Sequence, residues 1–101
     1  MRLGTVIGRV TLSVAVPSVE GARWLIVSPL SREGYQKGLS GSAHLGPDPS
    51  LVVYDDLGAD VTQVIGFVEG REAAAPFDEP TPIDAISACL VDEIFYRPLT
   101  S

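Results

Sequence analysis

A chain of 101 residues, 46% hydrophobic and 20% charged, is long enough for one domain and rich enough in apolar side chains to build a core, which excludes an intrinsically disordered polypeptide. Its formal net charge of -6 has the wrong sign for gripping a phosphate backbone and excludes nucleic acid as a partner. Ten glycines and 8 prolines cut the chain into short segments, which excludes a helical bundle.

The first predicted element is a strand within residues 3–16. Val6, Gly8, Val10, Leu12 and Val14 share one face there, alternating with Arg9, Thr11 and Ser13 on the other. Gly4 and Gly8 inside this run point to a bend or a close backbone approach, as in a small barrel. Residues 17–21 form a turn, and 22–27 form a second strand closed by Ser28-Pro29. Residues 31–50 then change character. Gly34, Gly38, Gly41, Gly46, Pro47 and Pro49 mark a long excursion, with a weak hairpin through 35–39. An excursion of that length in a small domain is functional or disordered.

Residues 51–54 are a third strand, ending in the turn Asp55-Asp56-Leu57-Gly58, and 61–68 are a fourth. The acidic, alanine-rich stretch 70–82 holds one helical turn over 71–75. Residues 83–96 read two ways. Thr81, Pro82 and Asp84 resemble a helix start, and Ile83, Ile86, Leu90 and Ile94 fit a helical stripe. Ile86, Val91, Ile94, Phe95 and Tyr96 give the same segment strand character.

Chemistry-bearing residues are sparse. His44 is the one histidine and has no Cys near it, so no metal site is expected. Cys89 is the one cysteine, which excludes an internal disulfide, and its apolar neighbours suit a buried structural thiol better than a nucleophile. Asp55 and Asp56 could pair as acid and base, but adjacent residues on a strand point apart, and a turn fits them better. Trp24, Tyr35 and Tyr54 could stack on bases, against which the acidic balance argues. No phosphate loop, dinucleotide fingerprint or nucleophile elbow is present, so neither catalysis nor a cofactor is expected. Arg2 is followed by an alternating segment and no apolar run is long enough to span a bilayer, so a cytoplasmic chain without a membrane partner is expected. Charge is split along the chain. Residues 1–50 hold five basic groups and three acids, a net of +2, and residues 51–101 hold two basic groups and ten acids, a net of -8. That split describes either a solvated acidic face or a two-signed surface suited to assembly.

The order of these elements resembles a known family. The glycine-punctuated first strand (Leu3, Val6, Gly8, Val10) is followed by Gly21 before Leu25, Ile26 and Val27. Asp55-x-x-Gly58-Ala59 comes next, then Gly70 closing a strand, then Pro82-Ile83-Asp84-Ala85 leading through apolar residues to Asp92. This pattern is similar to the EutN/CcmL family, the pentameric vertex proteins of bacterial microcompartment shells, across nearly the whole chain. It departs at Asp60, where the family usually has Gly, and at Arg71-Glu72-Ala73-Ala74, where it usually has Ser-Ser-Ala-Arg.

The resemblance implies one domain over 1–101, a mainly β fold with a small five-stranded barrel of the oligonucleotide/oligosaccharide-binding type, and a short helical turn. It implies a homopentamer at the five-fold vertices of a cytoplasmic protein shell, in contact with hexameric or pseudohexameric shell proteins and without enzymatic activity. A barrel module binding a small ligand or an oligonucleotide is the alternative. The resemblance also turns 83–94 towards strand. Alternation there places Ile86 and Leu90 in the barrel core and the smaller Ala85, Ser87 and Cys89 at a subunit boundary.

Overall fold

In the computed structural model, which describes residues 1–31 and 49–95, the β-branched runs become five strands. These are β1 (Arg2–Val10), β2 (Arg23–Pro29), β3 (Leu51–Asp55), β4 (Val64–Glu69) and β5 (Ala85–Leu90). They close into a barrel in the order β1-β2-β3-β5-β4. Every pairing is antiparallel except β3 with β5, which run parallel and meet at Tyr54 and Ile86. Two short 3-10 turns, Pro17–Val19 and Gly70–Ala74, lie between strands. The expected hairpin over 35–39 and His44 lie outside the described residues.

The barrel interior is filled by Val6, Leu25, Val27, Val53, Ile65 and Phe67, with Ala59 and Ala85 beside them. Such a narrow barrel leaves no room for a side chain at Gly4. A Cβ there would collide with Val27 and come within 3.0 Å of the Ser28 carbonyl oxygen and 3.1 Å of the Phe67 ring. A second cluster lies on the outer wall. Val19, Ala73, Ile83 and Ile86 pack there with Trp24, Tyr54 and Phe77. Trp24 and Phe77 each meet the Tyr54 ring edge-on, at 5.6 and 5.1 Å between centroids. The aromatic pair Trp24 and Tyr54 is thus engaged in packing, and Tyr35 lies outside the described residues.

Two strand boundaries need correction. β1 ends at Val10, and Leu12 and Val14 are 48% and 89% exposed instead of sharing its buried face. β2 begins at Arg23 with Val10 opposite Trp24, so residues 11–16 have no strand to pair with. The alternative of a helix start at Thr81 is not realised, because the Thr81 hydroxyl donates to the Glu79 carbonyl and the segment enters β5.

The fourth strand begins at Val64 instead of residue 61 because 60–63 is a turn. The Gln63 amide donates to the Asp60 carbonyl, and the Gln63 side chain accepts from the Asp60 amide at 2.7 Å. Thr62 inside it has φ 80°, a left-handed conformation that a β-branched residue adopts only under strain. Its amide donates to the Val6 carbonyl at 2.8 Å, so the turn is held against β1 by the same residue that strains it. Thr62→Asn is expected to stabilise the fold by about 1 kcal/mol, because asparagine tolerates this region. Urea unfolding at one fixed protein concentration measures it, and an unchanged or lower midpoint would refute the strain.

Candidate assembly surface

The sequence Asp55-x-x-Gly58-Ala59 folds as a carboxylate-centred turn. Asp55 is buried at the end of β3, and its two oxygens accept the Leu57, Gly58 and Ala59 amides at 3.2, 3.0 and 3.1 Å. The Ser87 hydroxyl on β5 donates to the same carboxylate at 2.7 Å. Arg23 approaches it at 3.5 Å and donates through its other nitrogen to the Ala59 carbonyl at 2.6 Å. Gly58 takes φ +84°, a conformation in which any side chain would be strained, and the turn then tucks Ala59 into the core. Asp56 is exposed and takes no part. The two aspartates therefore do not converge, and Asp55 spends its lone pairs on the fold. The Asp-to-Gly spacing is the signal of an Asx-type turn, but the partners on β2 and β5 are visible only in three dimensions.

Charge is arranged in an unusual way on the barrel. The strands carry five charged residues, Arg2, Arg9, Arg23, Asp55 and Glu69, and each stands at or next to a strand end. Each is also in register with the inner side of the barrel: Arg2 is opposite Phe67, Arg9 opposite Leu25, Arg23 opposite Asp55 and Glu69 opposite Ala85. Arg2 lies over the Phe67 ring and pairs with Glu69 at 3.0 Å. The outer wall is left without a charge. A sheet face that meets water permanently carries polar and charged side chains, so an uncharged outer wall whose Thr5 and Ser28 are themselves buried is built to be covered.

Register divides that wall into four strips, one of which, Ser28, Thr5 and Val64 on β2, β1 and β4, is buried. Val10, Trp24, Tyr54, Ile86 and Val68 form one continuous row, and part of it is covered by the chain's own second cluster. Gly8, Ile26 and Val52 form the second, on β1, β2 and β3, and Val52 is 51% exposed. Leu3, Gly66 and Cys89 form the third, on β1, β4 and β5. Beside Gly66 lie the sulfurs of Met1 and Cys89, 4.0 Å from each other.

β5 departs from the face assignment drawn from simple alternation. Ala85 and Ser87 point into the barrel, one in the core cluster and the other bonded to Asp55, so neither can stand at a subunit boundary. Ile86 faces outward into the second cluster, and Leu90 is 43% exposed instead of buried. The register slips between Gly66 and Phe67, whose partners are Cys89 and Ser87, and Ala88 is left unpaired. That bulge returns Cys89 to the outer wall beside Gly66. Pro82 and Asp84 are exposed, Asp84 offering its carbonyl to the Gly70 amide at 2.8 Å, and Gly70 itself has φ +80°. Asp92 is exposed beyond β5. Among the described residues no group of three His, Cys, Asp or Glu side chains could hold a metal ion.

The model of the family described as ethanolamine utilisation protein EutN/carboxysome matches residues 1–92. Among solved structures, the chain is similar to the GrpN pentameric microcompartment shell protein from Rhodospirillum rubrum, with 27% identity, 97% of this chain and 100% of that one covered, and a TM-score of 0.74. It is similar to CcmL of Gloeobacter violaceus at 25% identity, with 91% and 86% covered and a TM-score of 0.74. It shares its fold with the ethanolamine utilization protein EutN from Escherichia coli at 23% identity, with 95% and 89% covered and a TM-score of 0.74. Nothing among curated protein sequences matches it.

Proposed function

The chain belongs to the EutN/CcmL family, and on that premise we propose that it assembles into a homopentamer that caps the five-fold vertices of a bacterial microcompartment shell. It is a structural shell protein and not an enzyme. The observation that carries the reading is the uncharged outer wall, which a free barrel would expose to water and an assembled one would cover. Five copies, each with a net charge of -6, carry a net charge of about -30, which keeps the assembled rings from stacking without control. Hexameric or pseudohexameric shell proteins in the cytoplasm are the neighbours a vertex would meet. No helix among the described residues is long and apolar enough to cross a membrane. The alternative of a ligand-binding barrel has no comparable support, because Trp24 and Tyr54 are consumed in packing and the one buried carboxylate among the described residues holds a turn.

Native mass spectrometry is expected to show one dominant species of five copies at 10.7 kDa each, about 53.5 kDa. Shells produced with hexameric shell proteins are expected to leak a lumenal reporter when this chain is omitted and to retain it when the chain is present. A stable monomer or dimer at micromolar concentration, or equal retention with and without the chain, defeats the proposal.

A further inference from the structure

We infer that the ring closes by packing the Gly8–Ile26–Val52 strip of one copy against the Leu3–Gly66–Cys89 strip of the next, an inference that rests on the pentameric reading above. A ring of five cannot use one self-complementary patch, because that contact closes at two copies. It needs two different patches on each subunit that fit one another head to tail. The outer wall offers two such patches. One strip runs across β1, β2 and β3 and the other across β1, β4 and β5, so they are centred on β2 and β4, the two neighbours of β1 in the barrel. The row through Trp24 and Tyr54 is partly covered by the chain's own second cluster, and the Ser28–Thr5–Val64 row is buried.

Shape and charge favour joining these two strips. Val52 projects from the first, 51% exposed, beside the bare backbone of Gly8. The second presents the Met1 and Cys89 sulfurs, soft groups that reshape around an incoming aliphatic side chain. The rims are opposite in sign. Arg9 follows Gly8, is exposed, and makes no ion pair with another described residue. Asp92 and Glu93 follow β5 a few residues after Cys89 and are likewise exposed and unpaired among the described residues. Head-to-tail contact brings each Arg9 towards the acidic rim of the neighbour. The basic first half and acidic second half of the sequence thereby meet across every boundary of the ring.

The native chain has a single cysteine, and a heterologous ring holds the five copies of Cys89 apart. Val52→Cys supplies the missing partner. Treated with a short bismaleimide, the Val52→Cys protein is expected to give a ladder of linked chains up to five on denaturing gels. The wild type and the Val52→Cys/Cys89→Ser variant are expected to stay predominantly monomeric on the same gel. Arg9→Glu is expected to weaken the ring at least tenfold in dilution experiments, and adding Asp92→Lys and Glu93→Lys to restore it. A protein that is pentameric by native mass spectrometry yet gives no ladder, or a ladder that survives Cys89→Ser, overturns this pairing while leaving the ring intact. Absence of a wild-type pentamer removes the ring itself, and the two failures are read separately.

Discussion

Asp55→Ala is expected to leave little folded protein at 25 °C, because one carboxylate satisfies three backbone amides and a hydroxyl, of which the Ala59 amide and the Ser87 hydroxyl are in buried bonds. Each buried donor stranded in this way costs roughly 1–3 kcal/mol. The Arg23 side chain is 40% exposed although the Nε facing Asp55 is buried, and solvent screening at that exposure discounts its pairing with the carboxylate. Even a partial sum consumes much of the roughly 5–15 kcal/mol that holds a domain of this size. Asp55→Asn is expected to be nearly as damaging, since its amide group would turn N–H donors towards the Gly58 and Ala59 amides. Ser87→Ala removes one donor and leaves the turn, and is expected to cost about 1 kcal/mol. Circular dichroism and urea unfolding on the three variants test the ranking. A soluble Asp55→Ala protein with an unchanged midpoint would show that Gly58 alone holds the turn.

The next largest effect is expected at Gly4. A valine there must place three carbons where Val27, the Ser28 carbonyl and the Phe67 ring already sit. The carbonyl is backbone and cannot rotate away, so β1 would have to part from β2. Overpacking of this kind costs roughly 1–3 kcal/mol where neighbours can yield, and here one of them cannot. Gly4→Val is therefore expected to yield insoluble protein or a loss of more than about 3 kcal/mol. Gly8→Val makes the contrast. A Cβ at Gly8 meets only the flexible Ile26 side chain, at 3.3 to 3.8 Å, so the subunit is expected to fold with a change below about 1 kcal/mol. Equal damage at both sites in urea unfolding would refute the distinction.

The two glycines also show where sequence reasoning stops. Their spacing announced a close approach somewhere on β1, but identical residue types carry no record of which one faces a wall of atoms. The strands themselves were legible, since β-branched runs between glycine and proline punctuation leave few other options. Strand ends were not. The alternation of Leu12 and Val14 continues that of β1, yet a strand lasts only as long as its partner, and β2 starts too late to pair with them. On β5 the composition pointed to two apolar faces without saying which is inner: the small Ala85 and Ser87 lie inside and Ile86 outside, and the bulge at Ala88 then turns Cys89 outward. No residue type there signals a bulge. For the same reason Cys89 reaches the outer wall while Ala85 and Ser87 do not. The turn at Asp55 was visible as a turn. Its reach to Ser87, 32 residues away, depends on barrel closure and has no local trace.

Closure has a consequence for how the chain comes into being. β1, β2 and β3 form a continuous meander once residue 55 has been made, whereas β5, the last of these five strands to be synthesised, supplies the other side of β3. Until then β3 is an open edge beside an apolar sheet, the kind of edge that recruits stray strands. When β5 arrives, the backbone ladder contributes little, since the parallel pair meets at Tyr54 and Ile86 alone. Ser87 and Asp55 then work as a latch across that join. A nascent or partly opened subunit will breathe along this line first, and ring assembly must wait until the latch has shut.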